Sequence, residues 1–175
     1  MTVFSFLFEG PIGVKRLSII LLGLGTILLS SCSYSHSYQA YSYSEEFQRN
    51  YSVEDGSLPP IRIVSEKNFF TKKGKDAHCV KILGTRMIIL KKKAWNRFSD
   101  GLKWAVIYHE MGHCEFDLNH VWDEFSVQHF KDGKVTVSCP SSIMSVLQGA
   151  SECYDSKEEK KYYIRELKNR IENSK

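Results

Sequence analysis

Apolar positions in the last two thirds of the chain fall into short runs that are typical of strands. The runs that we expect to be extended cover residues 61–64, 79–83, 86–90, 125–130 and 134–138. The dipeptide Gly84-Thr85 separates the second run from the third and predicts a tight hairpin turn. Asp132-Gly133 predicts another turn between the last two runs. The pattern therefore predicts two hairpins and one further short strand.

Two other segments carry the start signals of helices. Ser99 or Asp100 offers a side-chain oxygen that can cap a helix running through an apolar stretch to about Phe116. Ser156 with Glu159 has the pattern of a capping box, and an amphipathic helix follows it. The apolar face of this second helix consists of Tyr163, Ile164, Leu167 and Ile171. Strands and helices together predict an α+β fold, in which a short mixed sheet packs on the first helix and the second helix ends the chain.

The N-terminal segment has the pattern of an export signal. An uncharged apolar run at 17–29 directly follows a Lys-Arg pair, and small residues and a cysteine come after it. The run has 13 residues, whereas a helix needs about 20 to span a bilayer. Residues 29–32, Leu-Ser-Ser-Cys, resemble the bacterial lipobox, which implies cleavage before Cys32 and lipidation of that cysteine. We expect a lipoprotein signal peptide at 1–31 and a lipid-anchored protein of the bacterial cell envelope; an ordinary signal peptide is the alternative.

The composition of residues 32–60 is typical of a tether. Five serines and four tyrosines occur between positions 33 and 44, without a leucine, isoleucine or valine to anchor a core. Pro59-Pro60 ends the segment, because consecutive prolines resist both helices and central strands. We therefore expect a lipidated spacer at 32–60 and a folded domain at 61–175. Alternatively, the tyrosines could form a surface that binds a partner or a wall polymer.

Length, composition and charge limit the function classes. A chain of 175 residues holds one domain plus a targeting segment, and 42% hydrophobic residues are enough for a core. The net charge is +4, and the basic residues are scattered in short runs such as 91–93. The sequence therefore does not predict a nucleic-acid partner.

Cysteine usage points to disulfides rather than to a thiolate metal site. Besides Cys32 the chain contains an even number of cysteines, namely Cys79, Cys114, Cys139 and Cys153. In an exported chain this predicts two disulfides, and the three possible pairings stay open. No CxxC pair occurs, so the usual thiolate zinc modules are absent. A metal role for Cys79 or Cys114, beside His78 or His113, lacks ligand spacing.

The predicted 99–116 helix carries an HExxH motif, His109-Glu110-Met111-Gly112-His113. Four residues make a little more than one helical turn, so both imidazoles lie on one face and can bind one ion. Glu110 projects about 100° away from His109, beside this face. It can therefore act as general base on water at the metal without occupying the open position that catalysis needs. The segment is apolar, so we expect it to be buried, and without a metal its polar side chains would be costly to satisfy.

The motif and the residues after it resemble the metzincin-like zinc peptidases, and more closely a group of small bacterial metallopeptidases with the pattern HExGHCxxxxxH and a Ser-Ile-Met turn. The matching residues are His109, Glu110, Gly112, His113, Cys114 and His120, followed by Pro-Ser-Ser-Ile-Met at 140–144. The resemblance spans about 79–170 and implies a small zincin-like domain. It also implies one zinc ion bound by His109, His113 and His120, above Met144 as an apolar floor that does not bind the metal.

This chain departs from the wider metzincin pattern, in which the third histidine lies ten residues after the first and a glycine lies seven after it. Here Phe116 stands at the glycine position and His120 at offset eleven. Asn119 tolerates the left-handed backbone region and could turn the chain so that His120 faces the metal. The rival third ligands are Asp117, Asp123 and Glu124. The tyrosine that some metzincins carry two residues after the methionine is replaced by Val146.

The function that these residues imply is zinc-assisted hydrolysis of a peptide bond in a peptide or protein substrate, with Glu110 as general base. The resemblance suggests that the strand at 86–90 lies at the sheet edge, where an extended substrate could pair with it. The competing hypotheses are a non-catalytic envelope lipoprotein with an idle or structural metal site, and a binding module that works through its tyrosine-rich arm. We expect His36, His78 and His129 to be structural or exposed to solvent.

Overall fold

The computed structural model describes residues 38–54, 56–68, 74–122, 125–131, 134–146 and 151–174. Within these ranges the chain forms four α-helices, a three-stranded mixed sheet and a two-stranded sheet, so the predicted α+β class is confirmed. The helices are α1 (Tyr38–Tyr51), α2 (Lys92–Arg97), α3 (Asp100–Phe116) and α4 (Lys157–Asn173). The strands are β1 (Ile61–Val64), β2 (Ala77–Ile82), β3 (Thr85–Lys91), β4 (Phe125–Lys131) and β5 (Lys134–Pro140), and a 3₁₀ turn covers Ser151–Tyr154.

The three-stranded sheet has the order β1-β3-β2. β1 is parallel to β3, with Ile61 opposite Ile88, and β2 is antiparallel to β3, with Cys79 opposite Ile88. The expectation that the strand at 86–90 forms the sheet edge is therefore wrong, because β1 pairs with the side of β3 that β2 leaves open. The edge strand of the antiparallel pair is β2.

The hairpin between β2 and β3 turns one residue earlier than expected. Leu83 and Gly84 occupy the turn, with φ values of 48° and 80°, and Thr85 already belongs to β3. A two-residue turn of this kind needs positive φ at both positions, which glycine adopts freely and leucine rarely does. The predicted turn therefore contained the correct glycine, but Gly84 is the second turn residue and not the first. The second predicted hairpin is confirmed as β4 and β5; its turn residues lie outside the described ranges.

Helix α3 lies at the centre of the core. Ser99 caps its start, since the Ser99 hydroxyl accepts a hydrogen bond from the Leu102 backbone N–H. Trp104, Ile107 and Tyr108 are fully buried, so the helix is covered on more than one side. The short helix α2 was not predicted, because it begins within the lysine run at 91–93. It places Trp95 in the same core.

Helix α1 overturns the prediction of a flexible tether over most of its length. Phe47 is completely buried, and its ring lies 5.2 Å from that of Tyr108 in α3. The Asn50 side chain donates a hydrogen bond of 2.7 Å to the Tyr108 hydroxyl. Tyr43, Phe47 and Tyr51 recur every four residues and form an aromatic stripe against the core. Counting only aliphatic residues hid this stripe.

The folded part therefore begins well before position 61, and the described residues from Tyr38 onward belong to one compact unit. Residues 32–37 of the predicted spacer, the predicted signal peptide at 1–31 and Cys32 lie outside the described ranges. Among the described helices, none combines the length and the apolar character that crossing a membrane requires.

Two disulfides are present, as the cysteine count predicted, and the structure selects the pairing. Cys79 in β2 is bonded to Cys114 in α3, and Cys139 in β5 is bonded to Cys153 in the 3₁₀ turn. The sequence separations are 35 and 14 residues. In the chain-entropy model, loops of these lengths stabilise the fold by about 4 and about 3 kcal/mol.

Helix α4 has the start that the sequence predicted. Ser156 and Glu159 form a reciprocal capping box, and the face with Tyr163, Leu167 and Ile171 is buried. The Tyr163 hydroxyl donates a hydrogen bond of 2.8 Å to the carbonyl of Pro140, at the end of β5. This contact holds α4 beside the chain segment that follows β5.

Replacing Phe47 with alanine should lower the free energy of unfolding by about 3–5 kcal/mol, because the truncation leaves a cavity between α1 and α3. Chemical denaturation of the two proteins measures the difference. Tyr38→Ala is the matched control at an 89% exposed position of the same helix, where a change within about 0.5 kcal/mol is expected. Equal, small effects of both substitutions would contradict the packing of α1 on the core.

Candidate metal centre

Three imidazoles converge on one point beside α3. The Nε2 atoms of His109 and His113 are 3.1 Å apart, and His120 Nε2 lies 3.1 Å and 3.0 Å from them. His109 and His113 are one turn apart on α3, whereas His120 follows the helix. We call these three residues the histidine cluster. It can bind a metal ion, and it contains all three ligands that the sequence predicted.

Backbone carbonyls set the orientation of two of the rings. His109 Nδ1 lies 2.8 Å from the carbonyl oxygen of Ile143, and His113 Nδ1 lies 2.6 Å from that of Leu118. A carbonyl oxygen only accepts, so Nδ1 carries the proton in both rings and donates it. Each Nε2 then presents its lone pair to the centre, as a metal ligand must.

The geometry fits a bound cation. The Nε2 lone pairs of His109 and His113 face each other at 3.1 Å and repel unless a positive charge lies between them. A tetrahedral zinc ion with Zn–N bonds of about 2.0–2.1 Å would space its ligand atoms by about 3.3 Å, which is close to the distances here.

The chain turns towards the cluster at Asp117, not at Asn119 as expected. Asp117 has φ 54° and ψ 25°, a left-handed residue that ends α3, and its N–H bonds to the carbonyl of Gly112. The Leu118 N–H bonds to the same carbonyl. This left-handed helix cap reverses the chain within a few residues and gives His120 its direction.

The rival third ligands do not join the cluster in the described residues. Asp117 lines the same cavity but pairs with Lys81 at the surface. Asp123 and Glu124 lie outside the described ranges. His120 is the residue that completes the group.

Residues 142–145, which we call the methionine turn, connect the histidine helix to the segment that carries His120. The Ile143 carbonyl binds His109, and the Met144 carbonyl accepts a hydrogen bond of 3.0 Å from the N–H of Val121. The Val146 N–H returns a bond of 3.1 Å to the carbonyl of Val121. Since Val121 directly follows His120, one turn fixes both the helix histidine and the loop histidine.

Met144 packs against the helix that carries two of the histidines. Its side chain is fully buried against α3, and a Cβ added at Gly112 would come within 2.6 Å of its sulfur. Only a glycine lets the helix approach the methionine this closely. Packing against Met144 therefore accounts for the glycine at position 112, directly before His113.

Sequence reasoning missed the residues that hold the methionine turn. The buried Ser142 hydroxyl accepts a hydrogen bond of 3.0 Å from the Met144 N–H. The Glu166 carboxylate, on α4, accepts one of 3.2 Å from the Ile143 N–H and pairs with Arg170. Because Glu166 is distant in sequence from the motif, no local signal could have identified it.

Glu110 lies in the same cavity as the histidine cluster. It is 6% exposed, and its Oε2 atom accepts a hydrogen bond of 2.7 Å from the Cys79 N–H of β2. The cavity has a volume of about 740 Å³, and Lys75 and Val146 also line it. It opens between the edge strand, α3 and the methionine turn, and it is large enough for part of a ligand.

Burial lowers the pKa of all three histidines, and that of His109 falls to about 3. The neighbouring imidazoles and the positive charge of Lys75 lower the pKa of His109 further. The cluster is therefore neutral at physiological pH, which is the state that binds metal.

The other histidines have different outcomes. His78 is 5% exposed and lines the cavity, so it lies closer to the site than the sequence indicated, and its structural role stays a prediction. His129 lies in β4, and its side chain is not among the described features. His36 lies outside the described ranges.

Comparisons with protein-family models, with curated proteins and with solved structures found no match. The interpretation of the site therefore depends on its own geometry.

Acidification should destabilise the metal-free protein. An unfolded histidine has a pKa of about 6.5, whereas burial holds the pKa of His109 at about 3. Because the unfolded chain binds this proton more tightly, the free energy of unfolding should fall as the pH drops from about 6.5 towards about 3. Urea unfolding in the presence of a chelator, at about pH 7.5 and about pH 5, measures the loss.

The variant His109→Asn tests whether His109, and not another titrating group, causes this loss of stability. Its side-chain amide can still donate to the Ile143 carbonyl, but it does not titrate. It should lose less stability than the parent protein over the same pH interval. Equal losses in both proteins would contradict the role of His109.

Proposed function

We propose that the protein is a zinc-dependent metallopeptidase of metzincin-like type. The observation that carries this proposal is the convergence of three imidazole Nε2 atoms in a cavity that also contains the buried carboxylate of Glu110. Three neutral nitrogen ligands leave one position of a tetrahedral ion open, which is typical of catalytic rather than structural zinc sites. A three-stranded mixed sheet beside an HExxH helix also agrees with a zincin-like domain.

Zinc in such a site supplies Lewis acidity, which polarises a carbonyl group and makes water acidic near neutral pH. The chain supplies the rest. His109, His113 and His120 hold the ion, and the carbonyls of Ile143 and Leu118 keep the first two rings in the binding tautomer. Glu110 takes the proton from the attacking water and delivers it to the leaving amine.

The substrate proposal follows from the edge strand. The Ile88 N–H donates to the carbonyl of Pro60 on the β1 side, so the opposite residue Cys79 directs its backbone groups away from β3. By the alternation of strands, Ala77 and Lys81 do the same. All three residues line the cavity. The Cys79 N–H is bonded to Glu110, so an extended peptide would add to β2 through the backbone groups of Ala77 and Lys81.

Export and lipid anchoring at Cys32 are part of the proposal and depend on the sequence pattern. The two disulfides fit a compartment outside the reducing cytoplasm. The partners proposed are a peptide or protein substrate and the membrane that holds the lipid.

Glu110→Gln should abolish hydrolysis of an unfolded protein substrate while the protein keeps about one zinc per chain, because the amide cannot accept the proton. Metal analysis and peptide release measured on the same preparation test this. Glu115→Gln is the matched control on the same helix, and it should remain active because Glu115 is not among the cavity residues. A Glu110→Gln protein that still hydrolyses would refute the assignment.

His113→Ala should lose the zinc, since two ligands do not hold the ion as three do. Metal analysis after purification without chelator or added metal is the measurement. A parent protein that holds zinc but cleaves no peptide would favour the non-catalytic envelope lipoprotein. A folded parent protein that cannot be loaded with zinc would refute both metal hypotheses.

A further inference from the structure

Two residues on one face of α3 hold the same residue of the edge strand. Glu110 and Cys114 are four residues apart, so their side chains lie one above the other on the helix. Glu110 accepts a hydrogen bond from the Cys79 N–H, and Cys114 forms a disulfide with the Cys79 side chain. Cys79 is therefore attached to α3 through its backbone and through its side chain.

The hydrogen bond involves a backbone donor that no other described strand uses. Cys79 directs its N–H away from β3, towards the free edge of the sheet. The distance of 2.7 Å from the Cys79 nitrogen to Glu110 Oε2 is typical of a strong hydrogen bond to a charged acceptor. A carboxylate held through one oxygen has a restricted plane and rotamer, so the position of β2 determines where Glu110 presents its charge.

The disulfide is the strongest link between β2 and α3 at this point. Farther along the hairpin, Lys81 pairs with Asp117 and Arg86 pairs with Glu115. Both pairs contain side chains that are more than a third exposed, and such ion pairs stabilise little. Without the covalent bridge, the edge strand would be free to move relative to the helix that carries Glu110.

We propose that Cys79, bridged to Cys114, is a positioning residue for the carboxylate of Glu110, so that this disulfide maintains the rate of turnover rather than the binding of zinc. The inference rests on the proposed function, because it takes Glu110 as the general base. Hydrolysis then requires the oxidised form of this bridge, whereas the Cys139–Cys153 bridge contributes to stability alone.

The test compares two double variants of the zinc-loaded protein. Cys79→Ala with Cys114→Ala should lower kcat about 10-fold to 100-fold, because a displaced base slows the chemical step. Zinc content should stay at that of the parent protein. Cys139→Ala with Cys153→Ala is the matched control, and its kcat should change less than about twofold. Equal losses of kcat in both variants, an unchanged kcat in the first, or loss of its zinc would overturn the inference.

A second measurement needs neither activity nor removal of a disulfide. In Glu110→Gln the Cys79 amide proton should shift upfield, because its acceptor is no longer charged and the hydrogen bond weakens. Glu115→Gln should leave this resonance in place. An unmoved Cys79 resonance in Glu110→Gln would overturn the inference, even if the double variant fails to fold.

Amide hydrogen exchange separates this inference from the proposed function. Exchange at position 79 should be at least about tenfold faster in the first double variant than in the control, because the strand edge opens. Faster exchange together with an inactive parent protein would refute the peptidase and leave the contact standing. An active parent protein whose kcat does not depend on the Cys79–Cys114 bridge would refute the inference alone.

Discussion

The Nδ1–H of His109 donates a hydrogen bond to the carbonyl of Ile143, and this bond joins the histidine helix to the methionine turn. The turn also binds Val121, the residue after His120, so it fixes ligands from two separate elements. Each nitrogen must present a lone pair to the same point, which backbone acceptors ensure by holding the proton on the opposite nitrogen. Three contacts keep this turn in place. The Ser142 hydroxyl binds the Met144 N–H, Glu166 binds the Ile143 N–H, and the Met144 side chain packs against α3.

Burial of the cluster has a cost and a consequence. An imidazole inside the protein is harder to protonate, so the pKa of His109 is lowered and the site is neutral and ready for a cation. The Nε2 lone pairs of His109 and His113, 3.1 Å apart, also repel each other. A cation relieves this repulsion, and metal binding should therefore stabilise the fold.

The edge strand contributes to the site through its backbone. β2 offers one N–H to Glu110 and directs further groups of Ala77 and Lys81 into the cavity. The disulfide to Cys114 places this strand against the helix that carries both the ligands and the carboxylate. The Cys79–Cys114 disulfide thus links the proposed substrate surface to the helix that carries the proposed base.

The sequence by itself determined the local features of this protein: the HExxH helix with a cap at Ser99 or Asp100, the Ser156–Glu159 capping box, the strand pairs and the three candidate ligands. Each of these depends on spacing within a few residues or on a motif that is read directly. Only the tertiary structure decided the pairing of the cysteines, the central place of β3, the turn at Asp117 and the acceptors on Ile143 and Leu118. It also showed that the aromatic stripe of α1 belongs to the core, because Phe47 meets Tyr108 sixty-one positions later in the chain. These features join residues that are distant in sequence, and their energies exist only after the chain has brought them into contact.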